Sequence, residues 1–147
     1  MKNALYEKTV LFVCEYNSAR SQLAEALAKH YAPPGLRILS AGLKRTVVNE
    51  DVLQSLAEIG IDASQQFSKS LEDVLEEQVN DVFVLAETAL DATIRMFPKA
   101  QIHFSPVPDP IRSSDHPDKT REAVRRSRDI LARSVRWWLS NLEVHNR

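Results

Sequence analysis

Short apolar runs alternate along the chain with segments in which apolar residues recur every three or four positions. The first run is rich in β-branched and aromatic residues, which is typical of a strand that is buried on both faces, and four of the runs predict strands. They cover residues 9–14, 36–41, 81–85 and, more weakly, 100–104. The pattern therefore predicts four short strands separated by helices.

The intervening segments predict helices. The first follows the first strand and ends at Pro33-Pro34; its apolar face comprises Leu23, Ala24, Leu27, Ala28 and Tyr31. Asn49 is expected to cap a second helix that ends at Gly60 and carries Val52, Leu53, Leu56 and Ile59. Residues 70–77 indicate a short acidic helix, and residues 87–96 indicate a further helical stretch.

The longest helix is predicted over residues 119–142. A proline-rich loop at residues 105–117 precedes it and is too restricted in φ to form a helix or a central strand. The expected apolar stripe of this helix is Ile130, Leu131, Val135, Trp138, Leu139 and Leu142. Its basic side chains are expected to be solvated: Arg125, Arg126, Arg128, Arg133 and Arg136.

Strands that alternate with helices are typical of an α/β domain with a parallel sheet. We expect one domain over residues 1–147, in which a four-stranded parallel sheet is flanked by helices on both faces. Ligands of such folds bind beyond the carboxyl ends of the strands. Cys14 ends the first strand and the proline-rich loop follows the last one, so the topology can bring these two segments together.

Composition narrows the function classes. A formal net charge of −1 gives no reason to expect nucleic acid or an anionic membrane as a partner. The first eight residues lack the apolar stretch of a secretion signal, and no apolar run reaches membrane-spanning length, so a cytoplasmic protein is expected. Cys14 is the one cysteine, which excludes an internal disulfide and a zinc site with several thiolates. The four histidines show no metal-binding spacing, so no metal is expected.

The segment 14–20, between the first strand and the first helix, carries the chemistry. A tight turn there can direct peptide N–H groups into one anion-binding concavity, and a helix that starts near residue 18 or 19 adds its positive dipole end. Arg20 can bind two oxygens of a tetrahedral oxyanion, and the same positive field favours a Cys14 thiolate. Ser21 can donate its hydroxyl to that sulfur, and Asn17 tolerates a left-handed backbone. The predicted oxyanion loop comprises Glu15, Tyr16, Asn17, Ser18, Ala19 and Arg20.

The sequence CEYNSARSQLAEAL at residues 14–27 resembles the phosphate-binding loop and following helix of the low-molecular-weight protein tyrosine phosphatase superfamily, which includes arsenate reductases. Three more segments are similar to that superfamily: Ser40-Ala41-Gly42, EIGIDASQQFSKSL at residues 58–71 and HFSPVPDP at residues 103–110. The likeness covers most of the chain and is closest in text to the arsenate reductase branch. It implies an α/β fold with a phosphate-binding loop after strand 1.

The resemblance also implies roles for matching residues. These are nucleophile for Cys14, oxyanion clamp for Arg20, general acid for Asp109, and support of the loop for Asn17, Ser21 and Ser40. Asp109 stands between two prolines on a stiff loop, although Asp115 and Asp118 are nearby alternatives. The implied reaction is hydrolysis of a phosphate monoester, of the phosphotyrosine type, through a phosphocysteine. It needs no cofactor.

The sequence also departs from its relatives. Thioredoxin-coupled arsenate reductases have two further redox cysteines after the third strand, whereas residues 84–98 contain none, so a reductase would depend on an external small thiol. Ala19 replaces a second cysteine that many of the phosphatases carry, which would leave Cys14 open to over-oxidation. Tyr16 stands where glycine is frequent and would either line the entrance for an aromatic substrate or lie on the surface. Ile111-Arg112 replace the tyrosines that are common after the Asp-Pro.

Three hypotheses follow from these residues. The first is a metal-independent phosphatase that acts on phosphate monoesters. The second is an arsenate reductase of the same fold that uses a small thiol as its reductant. The third is a non-catalytic regulatory protein that binds a phosphate-like oxyanion.

Overall fold

Four parallel strands form the centre of the protein in the computed structural model, which describes residues 7–111 and 116–142. The strands are β1 (Lys8–Cys14), β2 (Leu36–Gly42), β3 (Asp81–Val84) and β4 (Gln101–Phe104). Their order across the sheet is β2-β1-β3-β4, and every neighbouring pair is parallel. The predicted sheet is confirmed, and each predicted strand differs in extent by one residue.

The helices are α1 (Arg20–Tyr31), α2 (Glu50–Ala57), α3 (Leu90–Met96) and α4 (Pro117–Ser140). Two predicted helical stretches are shorter in the structure. Residues 70–77 contain only the 3₁₀ turn Leu71–Val74, and residues 87–96 divide into the 3₁₀ turn Glu87–Ala89 and α3. Within the two described ranges, no helix is both long and apolar enough to cross a membrane.

Local signals at the helix ends act as the sequence indicates. The Asn49 side chain accepts hydrogen bonds from the peptide N–H groups of Asp51 and Val52 at 2.9 and 3.3 Å, which caps α2. Gly60 follows α2 with φ +83°, a left-handed conformation that favours glycine. Pro117, which the prediction placed in the preceding loop, is instead the first residue of α4. A proline costs no helical hydrogen bond there, because the first N–H groups of a helix are unpaired.

Helices cover both faces of the sheet, as predicted. Val10 and Phe12 of β1 face α1 and α4, where Phe12 packs among buried apolar side chains of both helices. Leu11 and Val13 point to the opposite face and pack against the 3₁₀ turns and α3. This alternation of side chains along one strand makes two cores, one on each face of the sheet. Because β1 lies between β2 and β3, its carboxyl end is in the middle of the sheet. α2 packs on α1 and α4 in a third apolar cluster.

Three side chains predicted to lie on apolar helix faces are exposed instead. Tyr31 ends α1, Ile59 lies beyond the end of α2, and Ile130 points away from the sheet on α4. The face of α4 that is buried follows a spacing of three to four residues through Val124, Arg128, Leu131, Val135 and Leu139. Trp138 packs beside this face with its ring 5.0 Å from that of Phe83.

Arg128 corrects the prediction that the basic side chains of α4 are solvated. Its side chain is buried, and one guanidinium nitrogen donates to the Ser55 carbonyl and to the Glu58 carboxylate, each at 2.7 Å. Ser55 is in the last turn of α2, whose carbonyls lack a partner within the helix. Arg125 also binds Glu58 through two nitrogens. The two arginines therefore attach the end of α2 to α4.

We expect Arg128→Met to lower the free energy of unfolding by about 1–3 kcal/mol, because it leaves a buried carbonyl without its donor. Urea unfolding monitored by circular dichroism measures this change. Arg126→Met is the matched control, since the Arg126 side chain is 68% exposed, and it should change stability by less than about 0.5 kcal/mol. An equal loss in both variants would show that Arg128 has no special role.

The same clamp predicts a dependence of stability on pH. Hydrogen bonds from Arg125 and Arg128 lower the pKa of Glu58 below its ordinary value of 4.5. The folded protein therefore binds this proton less readily than the unfolded chain, so Glu58 stabilises the fold above about pH 4.5, and this contribution disappears as the pH falls through the lowered pKa.

Glu58→Gln should accordingly lose less stability than wild type when urea unfolding is compared at about pH 6 and about pH 3. Glu122→Gln, at an exposed position of α4, should keep the wild-type difference. Equal differences in all three proteins would contradict the assignment.

Candidate active site

The loop 14–20 connects the carboxyl end of β1 to the first turn of α1 and surrounds a cavity of about 230 Å³. The cavity is lined by Cys14, Tyr16, Ser18, Ala19, Arg20, Thr46, Asp109 and Ile111. The structure thus brings Cys14, Arg20 and Asp109 together from distant parts of the sequence. Tyr16 lies at this cavity, whereas Glu15 does not line it and accepts a hydrogen bond from Thr88 at 3.4 Å.

The backbone of the loop is oriented by hydrogen bonds to its carbonyl oxygens. All six carbonyl oxygens from residue 14 to residue 19 accept hydrogen bonds, at 2.8–3.3 Å. The donors, in order along the loop, are Leu43 N, Lys44 N, Thr46 Oγ1, Gln22 Nε2, Asn49 N and Leu23 N. A peptide carbonyl and the N–H of the same planar unit point in opposite directions, so the N–H groups of residues 15–20 turn toward the inside of the loop. This is the geometry of an anion-binding nest.

Asn17 holds the centre of the loop. It has φ +51°, the left-handed conformation that its residue type tolerates, and its side chain is buried. The amide nitrogen donates to Ser21 Oγ at 2.7 Å and to Ser40 Oγ at 2.9 Å. The amide oxygen accepts from Gln22 Nε2 at 2.8 Å and from the peptide N–H of Lys69 at 2.7 Å. That N–H can only donate, so it defines which end of the amide is the oxygen.

Cys14 is almost completely buried, and its sulfur lies 2.8 Å from Ser21 Oγ. Ser21 Oγ already accepts from Asn17, so its own proton is available to the sulfur. The Ser21 hydroxyl is therefore positioned to donate a hydrogen bond to the sulfur at the floor of the nest.

Arg20 connects the loop to the proline-rich segment. Its side chain is buried, donates to the Val107 carbonyl at 3.0 Å and lies 3.7 Å from the Asp109 carboxylate. The other Asp109 oxygen accepts from the peptide N–H of Ile111 at 3.0 Å. Arg20 thus positions the segment that brings Asp109 to the cavity, in addition to facing the cavity itself.

Asp115 and Asp118 are the two alternatives to Asp109 as the general acid. Asp118 lies at the start of α4, where its side chain is 87% exposed and pairs with Arg121. It does not line the cavity. Asp115 lies outside the described residues, as does Arg112, the second of the two residues that follow the Asp-Pro. Of the candidates that the structure describes, Asp109 is the one at the cavity.

Sequence reasoning missed part of the support beneath the loop. Gln22 binds Asn17 and receives a hydrogen bond from Gln66 at 2.6 Å. Glu25 accepts from Ser40 and pairs with Lys69. The only signal in the sequence is that polar side chains interrupt the apolar pattern of α1, and such positions ordinarily face water.

Gly42 is required by the closeness of two backbones. A Cβ atom there would lie 2.6 Å from the Asn17 nitrogen and 2.9 Å from the Glu15 carbonyl oxygen. Both atoms belong to the loop backbone, so a side chain at residue 42 would displace the loop.

A comparison with protein families shows which family this chain belongs to. Residues 9–146 match the family described as low molecular weight phosphotyrosine protein phosphatase. The chain belongs to this family. The superfamily resemblance drawn from the loop motif is thereby confirmed.

Curated relatives of this family member are named arsenate reductases. That of Halalkalibacterium halodurans is 29% identical over 131 residues, which cover 88% of this chain and 94% of the relative. That of Brevibacillus brevis is 33% identical over 101 residues, which cover 69% and 72% of the two chains. The predicted closeness to the arsenate reductase branch is confirmed.

Solved structures of phosphatases share the fold. The tyrosine phosphatase amsI of Erwinia amylovora has a TM-score of 0.76 at 23% identity, over 92% of this chain and 93% of that chain. The arginine phosphatase YwlE of Geobacillus stearothermophilus has a TM-score of 0.75 at 24% identity, over 95% and 99%. Together, the family and its relatives identify a cysteine-dependent enzyme of the phosphatase or arsenate reductase type.

The contact at Gly42 predicts that Gly42→Ala weakens binding of inorganic phosphate at least about tenfold, because small displacements of an oriented site are costly. Isothermal titration calorimetry measures the affinity, and circular dichroism verifies the fold. Gly60→Ala is the control. Gly60 has φ +83°, which an alanine adopts only with strain, so this substitution should lower the free energy of unfolding by about 1–2 kcal/mol. No atom lies within 4 Å of the added carbon, so the phosphate affinity should be unchanged. Unchanged affinity in Gly42→Ala would refute the argument.

Proposed function

We propose that this family member is a metal-independent phosphatase that hydrolyses phosphate monoesters through a phosphocysteine on Cys14. The observation that carries the proposal is the convergence of Cys14, Arg20 and Asp109 on one cavity, in a chain with no second cysteine. This set of groups is sufficient for two-step phosphoryl transfer without a redox partner.

In the first step the Cys14 thiolate attacks phosphorus, and the bond to the leaving oxygen breaks. Asp109 protonates that oxygen, so the leaving group departs as a neutral alcohol or phenol. The inward N–H groups of the loop and the Arg20 guanidinium stabilise the charge on the three equatorial oxygens.

In the second step water attacks the phosphocysteine. The Asp109 carboxylate formed in the first step accepts a proton from that water, the sulfur–phosphorus bond breaks, and inorganic phosphate is released. Ser21 donates to the sulfur as it leaves in the form of a thiolate, so one hydrogen bond serves both the attack and the departure.

The side chains around the cavity favour a substrate ester with a planar apolar leaving group. Tyr16 and Ile111 flank the cavity that contains the nucleophile, and Thr46 supplies a hydroxyl that binds the Tyr16 carbonyl at 3.0 Å. Aromatic leaving groups bury apolar area between such side chains and are also good leaving groups. Phosphotyrosine-type esters are therefore the substrate class that we assign.

Thiol-assisted arsenate reduction is the second candidate, and the names of the curated relatives favour it. Cys14 would displace water from arsenate, and an external small thiol would attack the sulfur of this adduct. Two electrons would pass to arsenic, so that arsenite leaves and Cys14 stays in a mixed disulfide. A second external thiol would then reduce that disulfide, because the chain offers no resolving cysteine.

Hydrolysis of p-nitrophenyl phosphate with EDTA present tests the first proposal. We expect turnover in the wild type, loss of turnover in Cys14→Ser, and a fall in kcat of about 100-fold or more in Asp109→Asn. Asp118→Asn is the matched control, because its exposed carboxylate is outside the cavity, and it should retain wild-type turnover.

Turnover by Cys14→Ser at the wild-type rate would contradict the phosphocysteine mechanism. A folded wild type that does not hydrolyse the ester, but releases arsenite when arsenate and a small thiol are supplied, would replace the first candidate with the second.

A further inference from the structure

Two oppositely charged side chains are buried beneath the loop, outside the cavity. Glu25 of α1 is 5% exposed and Lys69 is 11% exposed, and their charged groups lie 3.6 Å apart. The Lys69 ammonium also donates to the Phe67 carbonyl at 2.9 Å and lies 4.5 Å from the Phe67 ring centroid. Neither charge touches the site of reaction, so the mechanism above leaves both without a role.

A continuous series of hydrogen bonds connects this ion pair to the nucleophile. The Ser40 hydroxyl donates to the carboxylate of the pair. Asn17 Nδ2 donates to Ser40 Oγ at 2.9 Å and to Ser21 Oγ at 2.7 Å, and Ser21 Oγ lies 2.8 Å from Cys14 Sγ. The lysine also contacts this asparagine directly, because its peptide N–H donates to Asn17 Oδ1 at 2.7 Å.

The direction of these hydrogen bonds depends on an ionised Glu25. A carboxylate only accepts, so the Ser40 proton points to it and the Ser40 lone pairs accept from Asn17. The second amide hydrogen of Asn17 then occupies a Ser21 lone pair, which leaves the Ser21 proton for Cys14. A protonated Glu25 would instead donate to Ser40, compete with the asparagine and leave the Ser40 proton without its acceptor.

We propose that Lys69 is a positioning residue whose buried ammonium keeps Glu25 ionised and thereby orients the hydrogen bonds that stabilise the Cys14 thiolate. The inference rests on the proposed role of Cys14 as nucleophile. It concerns the reactivity of that thiol, which can be measured without substrate turnover.

Lys29 is the competing partner of Glu25. Its ammonium is nearer, at 2.6 Å, but its side chain is 51% exposed. Solvent screens an exposed charge, whereas a charge in the interior acts through a lower dielectric constant. Burial is the largest effect on Lys69 and lowers its pKa; Lys29 lowers it further, while Glu25 and Asp73 oppose both. We therefore expect the buried Lys69, rather than the exposed Lys29, to have the larger effect on the ionisation of Glu25.

Alkylation by iodoacetamide reports on Cys14 alone, because the sequence contains no other cysteine. Rates are measured from about pH 5 to about pH 10 in the wild type, Lys69→Met and Lys69→Arg. At about pH 6, Lys69→Met should react roughly threefold to tenfold more slowly, since its thiolate is less stabilised. The rates should converge near pH 10, which is above the range in which cysteine thiols ordinarily ionise. Lys69→Arg keeps the charge and should stay near the wild-type rate.

Three further variants separate charge from packing. Lys29→Met should change the rate at about pH 6 by less than about twofold, because it removes a screened charge. Glu25→Gln alone should react at or above the wild-type rate, since the amide oxygen still accepts from Ser40. Lys69→Met combined with Glu25→Gln should recover most of the loss, because no unpaired charge is then buried.

Equal slowing in Lys29→Met and Lys69→Met, an unchanged rate in Lys69→Met, or a combined variant as slow as Lys69→Met would each overturn the proposal. Slower alkylation of Glu25→Gln than of the wild type would also overturn the proposal. This variant keeps the test valid if Lys69→Met does not fold. If the wild type hydrolyses no phosphate ester but the alkylation rates follow the expected order, the proposed function fails and the positioning role of Lys69 stands.

Discussion

The geometry of the site depends on the four hydrogen bonds of one buried amide. Asn17 is in a left-handed conformation and has no access to solvent, and each hydrogen of its amide nitrogen and each lone pair of its amide oxygen has a partner. A buried amide that lost one of these partners would pay the cost of an unsatisfied polar group. The loop is therefore held in one conformation from beneath, which leaves its N–H groups free to face an anion. Preorganisation of this kind is what an oxyanion site needs, because donors that are already oriented do not have to rearrange during the reaction.

α1 provides most of that support, and it differs from an ordinary amphipathic helix. Nine consecutive residues from Arg20 to Ala28 are buried, because the helix is enclosed by the sheet, α2, α4 and the segment before the 3₁₀ turn at residue 71. Its polar side chains consequently lie inside the protein, where they bind the loop and one another. Gln22 and Glu25 are the clearest cases. Gln22 joins Asn17 to Gln66, and Glu25 joins Ser40 to Lys69.

The chemistry follows from the same arrangement. The strand places Cys14 at the carboxyl end of the sheet, the helix brings Arg20 back over it, and Arg20 in turn holds the proline-rich segment through the Val107 carbonyl. One cation thus links the oxyanion site to the residue proposed as the acid. The family includes enzymes named for phosphotyrosine, while curated relatives are named for arsenate. The single cysteine of this chain bears on both chemistries, because phosphoryl transfer needs one thiol, whereas reduction of arsenate would need an electron donor from outside the chain.

The sequence by itself determined the four strands and the cap at Asn49, because these depend on local periodicity and on the conformational preferences of single residues. It also contained the loop motif that marks the family. Only the tertiary structure decided that Arg128 is buried, that Ile130 is exposed and that Lys69 lies against Glu25. Those outcomes depend on which face of a helix meets its neighbours and on partners far away in the chain. The local sequence around a charged residue is the same whether its side chain is solvated or buried against an opposite charge, so no local signal distinguishes a solvated charge from a buried one.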